Sequence, residues 1–264
     1  MPTFLLLTSM ILFCAQAASA GPAPALVRQL APGGRLRVAI NLGNPVLAQR
    51  APSGELGGVS VELARELGRR LRVPVELIPF DGAGKVVAAL REQAWDVAFL
   101  AIDPLRADVA DFSHPYVVIE GAYLVPADSP LRAVAEVDRP GVRVAVGRGS
   151  AYDLFLTREL KQARRVEAPT SAGAVDLFLA DRLEVAAGVR QPLAAFAATH
   201  PGVRLLPGSF MVIRQAMAVP RGREGAARYL DGFIEELKAS GFVAKALARS
   251  GQGDAAIAPA MPVE

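Results

Sequence analysis

The sequence is poor in residues that carry reactive chemistry. Cysteine occurs once in 264 residues, at Cys14. It lies in an apolar leader-like segment, so a chain processed after that segment has no disulfide, thiol nucleophile or cysteine-ligated metal. About 240 residues must then fold on their apolar core alone, which that length supports. Histidine occurs only as His114 and His200, far apart and each beside a proline. That is the pattern of turn residues and not of an imidazole metal site, and no metal or other cofactor is expected. No run of five or more Lys/Arg is present, and a net charge of +3 is spread along the chain, so no nucleic-acid partner is expected. A G-x-S-x-G elbow, an H-E-x-x-H pair and a P-loop are absent. The stretch GRGSAY at 147–152 begins like a dinucleotide loop but has Tyr152 where the third glycine belongs.

What is present is apolar and regularly patterned. With 52% hydrophobic and 21% charged residues the composition is that of a soluble chain with a sizeable core. The first twenty residues carry no charged side chain and end in Ala18-Ser19-Ala20. This reads as a signal peptide over 1–20, a mature chain starting near Gly21, and a periplasmic location. The segment has no Lys or Arg before its apolar run and approaches bilayer-spanning length, which leaves a retained anchor as the alternative. Phe13 before Cys14 disfavours a lipoprotein signal.

From Arg35 the chain reads β-α-β-α-β. LRVAI (36–40), VPVELIPF (73–80) and DVAFLAI (96–102) are strands, separated by a helix with Val59, Leu63, Leu67 and Leu71 on one face and by a second helix over 85–93. Strands alternating with helices predict a parallel-rich sheet covered on both faces. The order then repeats in VRVAVGRGSAYDLFL (142–156), RRVEAPT (164–170) and AVDLFLADRLEVAAGVRQP (174–192). WDVAFLAIDP and LEVAAGVRQP agree in type at most positions, and each strand ends at a proline-bearing loop. Such strand ends are where open α/β sheets hold ligands. The similar segments AYLVP and AMAVP read as two crossings, near 121–126 and 215–220. The expected division is a first lobe of 33–121 with 219–250, a second lobe of 122–218, and a disordered tail over 251–264, where Gly, Ala and Pro dominate.

These stretches, together with GELGGVSVELAREL (54–67), VAALREQAWDV (87–97), RADVADFSHPY (106–116) and VAVGRGSA (144–151), resemble the extracytoplasmic solute-binding proteins of the polar amino-acid type, bacterial family 3, over about residues 35–250. The resemblance implies an α/β, two-lobed periplasmic-binding-protein fold of type II, with two hinge crossings and lobes that close on a solute. It implies a monomer that captures an amino acid or a related small organic anion and delivers it to a cognate ABC permease in the inner membrane. Arg106 falls at the position of the family's carboxylate-clamping arginine, whose planar fork matches a carboxylate. Ser150 and Ala151 begin a helix whose free amides favour an anion.

Several positions depart from the family pattern. Ala101 stands where Thr or Ser is usual, with Asp103 nearby. Asn44 and Ala83 stand where aromatics are usual, and Val189, followed by Arg190, stands where an acidic residue normally meets the ligand's ammonium. The ligand then lacks an α-ammonium, or Asp103 supplies the counter-charge. Lys85, Arg148 and Arg190 fall at strand ends or helix starts facing the expected cleft, and would make it cationic if they point inward. An alternative of another class is a cyclohexadienyl-dehydratase-like enzyme on the same fold, for which Asp103 is the one candidate acid or base beside Arg106. A sensory binding protein is a third reading.

Overall fold

The computed structural model describes residues 23–262. The expected signal peptide and the last two residues of the expected tail lie outside the described residues. The first half of the chain comprises α1 (Pro24–Leu30), β1 (Leu36–Asn41), β2 (Gln49–Arg50), β3 (Leu56–Gly57), α2 (Val59–Leu71), β4 (Val75–Phe80), α3 (Ala83–Ala89), β5 (Val97–Ala101), α4 (Pro104–Ala107) and β6 (Ala110–Pro126). There follow β7 (Arg143–Gly147), α5 (Ala151–Glu159), β8 (Arg164–Ala168), α6 (Ser171–Ala180), β9 (Val185–Val189), α7 (Arg190–Thr199), β10 (Val203–Leu205), β11 (Met211–Pro220), α8 (Glu224–Ala239), α9 (Phe242–Arg249) and β12 (Ala256–Ile257).

The repeat is visible in the pairing. In the first lobe β1 lies parallel to β4 and β5, and in the second β7 lies parallel to β8 and β9. Period-two alternation sends Val38 and Ile40 to one face and Ala39 to the other, and Val144 and Val146 to one face and Ala145 to the other. Both faces are buried, by four apolar clusters, as expected where helices cover both sides of a sheet. The α2 stripe of Val59, Leu63, Leu67 and Leu71 is buried throughout. A duplicated ion pair pins each lobe's first strand to its third. Arg37 donates from Nε and Nη2 to the two carboxylate oxygens of Asp96 at 3.0 and 2.9 Å. Arg143 does the same to Glu184 at 2.9 and 2.8 Å.

Both expected crossing segments lie in long strands, β6 and β11. Strand β6 runs through the boundary unbroken, pairing with β11 over Ala110–Gly121 and with β9 over Gly121–Leu124. One hydrogen-bonded path therefore links the lobes, in the order β4-β1-β5-β11-β6-β9-β7-β8. At Gly121 a Cβ would lie 2.7 Å from Met211 Cγ and 2.8 Å from Phe210 Cζ, so a larger residue here would displace both side chains. The segment 215–220 expected as the return crossing is the second half of β11. From Met211 onward β11 pairs with β6, and Gln215–Ala218 pair with β5, so its residues sit in the first lobe's sheet. Helices α8 and α9 pack on the first lobe.

The tail is not disordered over its described part. Ala256 and Ile257 pair antiparallel with Val118 and Val117, and Ala255 and Ala258 are buried. Lys238 Nζ donates to the Pro259 carbonyl at 2.8 Å. Backbone pairing to an otherwise open strand edge outweighs the segment's disorder-like composition.

Candidate functional site

Between the lobes a niche of about 30 Å³ is lined by Asn41, Asn44, Ala101, Arg106, Ser150, Ala151, Tyr152, Ser171, Val189 and Gln215, among others. Arg106 comes from α4. The four-residue helix starts cleanly because Asp103 caps it, its Oδ1 accepting from Leu105 N at 3.0 Å, with Pro104 at the first position. The short turn places a guanidinium in the interior, with Arg106 only 2% exposed. Its Nη1 donates to the Ala101 carbonyl at 2.9 Å, and its Nη2 to the Gly149 carbonyl of the other lobe at 2.9 Å. Nε has no partner. Burial pushes the Arg106 pKa down to about 10, against the upward pull of Asp103. The charged side chain is thus held under a desolvation cost that an anion would relieve.

The opposite wall is the start of α5. Ser150 is its N-cap, Oγ accepting from Asp153 N at 3.0 Å, which leaves the amides of Ala151 and Tyr152 as first-turn donors without intrahelical partners. Tyr152 is buried, its hydroxyl making no full hydrogen bond but lying near Ser171 and Ser150, and burial raises its pKa against those contacts. The two walls touch where Gly149, at φ +68°, meets Gly84: a Cβ on Gly149 would lie 2.7 Å from Gly84 Cα. Close approach of the lobes at this point therefore requires glycine.

Of the residues singled out in the sequence, Asn44, Ala83, Ala101, Arg106, Ser150, Ala151 and Val189 line the niche. Asp103 does not. Its Oδ2 accepts from Arg158 Nη2, across the lobes, at 2.9 Å, so it is already matched by a cation. Lys85, Arg148 and Arg190 do not line it either. Lys85 pairs with Asp81 at 2.7 Å and Arg148 with Glu167 at 3.0 Å, both largely exposed. Arg190 pairs with Glu120 at 2.6 Å and donates to the Gly208 carbonyl. Each of these long side chains has found a carboxylate nearer the surface, and the expected cationic cleft reduces to Arg106 alone. Among the described residues lining the niche, Arg106 is the one that bears a full charge.

Asn41, Tyr152, Ser171 and Gln215 were not anticipated as site residues. Gln215 is 5% exposed within the apolar β11, and a lone amide in such a run is the signal that could have found it. Tyr152 was visible only as a misfit to a glycine-rich loop. Among the described residues no group of His, Cys, Asp and Glu is arranged to hold a metal, and no helix is long and apolar enough to cross a membrane.

The sequence model of the bacterial extracellular solute-binding proteins, family 3, matches residues 36–252. Holo ArgBP from T. maritima is 22% identical and superposes with a TM-score of 0.70, over 82% of this chain and 94% of that one. An amino acid ABC transporter substrate-binding protein, AbpA from Streptococcus pneumoniae bound to L-arginine, is 20% identical with a TM-score of 0.73, over 85% and 97%. The ancestral amino acid-binding protein AncCDT-1, a precursor of cyclohexadienyl dehydratase, is 22% identical with a TM-score of 0.71, over 84% and 98%. No curated protein matches the sequence. The architecture is thus the two-lobed, type II periplasmic-binding-protein fold.

Proposed function

The chain belongs to the bacterial extracellular solute-binding proteins, family 3, and on that premise we propose that it is the periplasmic binding component of an ABC importer. Its solute carries a carboxylate, as an amino acid or related organic anion does, and is enclosed between the lobes. The observation that carries this reading is Arg106, 98% buried at the lobe interface and bonded to a backbone carbonyl of each lobe, with Nε unpartnered. A guanidinium has five N–H donors, and two are used here. A carboxylate bound to the remaining donors would neutralise the buried charge and hold the two walls together. We read the lobe division as 23–121 with 211–262 against 122–210, with the monomer as the working unit.

The enzymatic alternative is not favoured. Asp103 is committed to Arg158 and to the Leu105 amide, and the described residues lining the niche include no carboxylate or imidazole to move a proton beside the bound acid.

A thermal-shift screen of the purified chain against amino acids and organic acids tests the proposal. A solute at 100 times its Kd adds about 2.7 kcal/mol, a visible rise in Tm, and Arg106→Ala should erase it. A rise that survives in Arg106→Ala would move the site elsewhere.

A further inference from the structure

The niche at Arg106 borders a larger chamber, and the two together specify a class of solute. The niche, about 30 Å³, has room on the order of one or two water molecules. It accepts the head of a carboxylic acid and not its body. The chamber measures about 480 Å³ and shares Gly43, Tyr152, Ser171 and Val189 with the niche, within the usual range for small-molecule sites. Its walls come from both lobes and are chiefly apolar: Leu42 and Pro45 from the first, Val175, Pro192, Leu193 and Phe196 from the second. Phe196 is held in place by stacking on His200, ring centroids 3.8 Å apart. The charged residues lining the chamber, Asp81 and Asp176, are both exposed, and Asp81 is paired with Lys85.

One buried donor, Arg106 Nε, lacks any partner, and the Tyr152 hydroxyl makes no full hydrogen bond. Arg106 lines the niche, and Tyr152 lines both spaces. The free guanidinium donors of Arg106 suit an anionic group in the niche that Tyr152 also lines. With no carboxylate among the described residues lining the niche, an ammonium placed beside that anion would be buried without a counter-charge. Val189, apolar and 8% exposed, forms that part of the wall.

We propose that the solute is an apolar monocarboxylate, an aryl- or branched-alkyl-substituted acid without an α-ammonium, with its carboxylate at Arg106 and Tyr152 and its body in the chamber. This deepens the solute-binding reading and rests on it.

Calorimetry on the purified chain tests it with matched pairs: 3-phenylpropanoate against phenylalanine and 4-methylpentanoate against leucine, with arginine and succinate as polar probes. At least one deaminated acid should bind ten times or more tighter than its α-amino partner, about 1.4 kcal/mol, and tighter than arginine or succinate. Ala172→Trp, at an exposed position lining the chamber, should leave the fold intact by circular dichroism and weaken that acid at least tenfold by filling the space. Tight binding of arginine, of succinate or of the α-amino partner would overturn the proposal and leave the solute-binding reading standing. So would an affinity lost in Arg106→Ala but untouched in Ala172→Trp. Failure of all six probes overturns the proposal, and the broader thermal-shift screen then decides the solute-binding reading on its own.

Discussion

Asp103 Oδ2 accepts a hydrogen bond from Arg158 Nη2 at 2.9 Å, joining the cap of α4 in one lobe to the last turn of α5 in the other. Asp103 is 6% exposed at its side chain and Arg158 36%, so the pair is half shielded from water and screened on one side. It latches the lobes beside the Arg106 contact to Gly149. A double-mutant cycle on Arg158→Ala and Asp103→Asn should give a coupling of about 0.5–1 kcal/mol. Arg158→Ala should weaken solute binding by roughly threefold, because the enclosed form is less populated, and the effect should shrink at high salt. A coupling near zero at low salt would make the contact incidental to closure.

The sequence reports the two halves so well because each half repeats the same physical devices. An arginine at the start of the first strand and an acid just before the third recur in Arg37 with Asp96 and Arg143 with Glu184. The pattern of buried strand, amphipathic helix and proline-bearing loop repeats with them. The family resemblance pointed to Arg106, and the fold places it in the niche. The partners of charged residues were not legible, because ion pairs such as Arg148 with Glu167 or Arg190 with Glu120 depend on which strands lie side by side. The tail misled for a related reason: its composition is that of a flexible segment, and only the open edge of β6 gives Ala256 and Ile257 a partner. The apolar chamber joins Leu42 to Phe196, residues far apart in the sequence that come together only because the two lobes face one another.

Glu66 should make part of the stability acid-sensitive. It accepts from Arg69 Nε and Nη2, each at 2.7 Å, and from Arg70 Nε at 2.8 Å, while Arg70 reaches on to Glu236 of α8 at 2.7 Å. The hydrogen bond from Arg69 leads in holding its pKa at about 2, below the ordinary 4.5 and against burial. With the folded value depressed, the stabilisation is full above pH 4.5 and is lost as the pH falls towards 2. Arg69 is 71% exposed, so most of that shift is screened, and Glu66→Gln should cost about 1 kcal/mol at pH 7. Urea titrations at pH 7 and near pH 2.5 should show the gap between variant and parent closing. A gap that stays constant with pH would place the cost in packing instead of charge.

Arg106 should be a residue that serves binding at the expense of the solute-free fold. Its guanidinium is buried at the lobe interface with two carbonyl acceptors, burial pulls its pKa down to about 10 against the pull of Asp103, and Asp103 is itself engaged by Arg158. The sign follows from linkage. A base with a folded pKa below its unfolded value is destabilised in its charged form, and that cost is fully present at neutral pH, fading only as the pH rises through 10 and above. Replacing a buried charge with an apolar side chain of similar length is often neutral or stabilising. Arg106→Met should therefore match the parent's solute-free stability to within about 1 kcal/mol, or exceed it, while losing the solute-induced rise in Tm. Scanning calorimetry of both proteins with and without solute makes the comparison. A loss of roughly 3 kcal/mol or more in solute-free Arg106→Met would show that the bonds to Ala101 and Gly149 hold the fold itself together, and that this arginine is structural first.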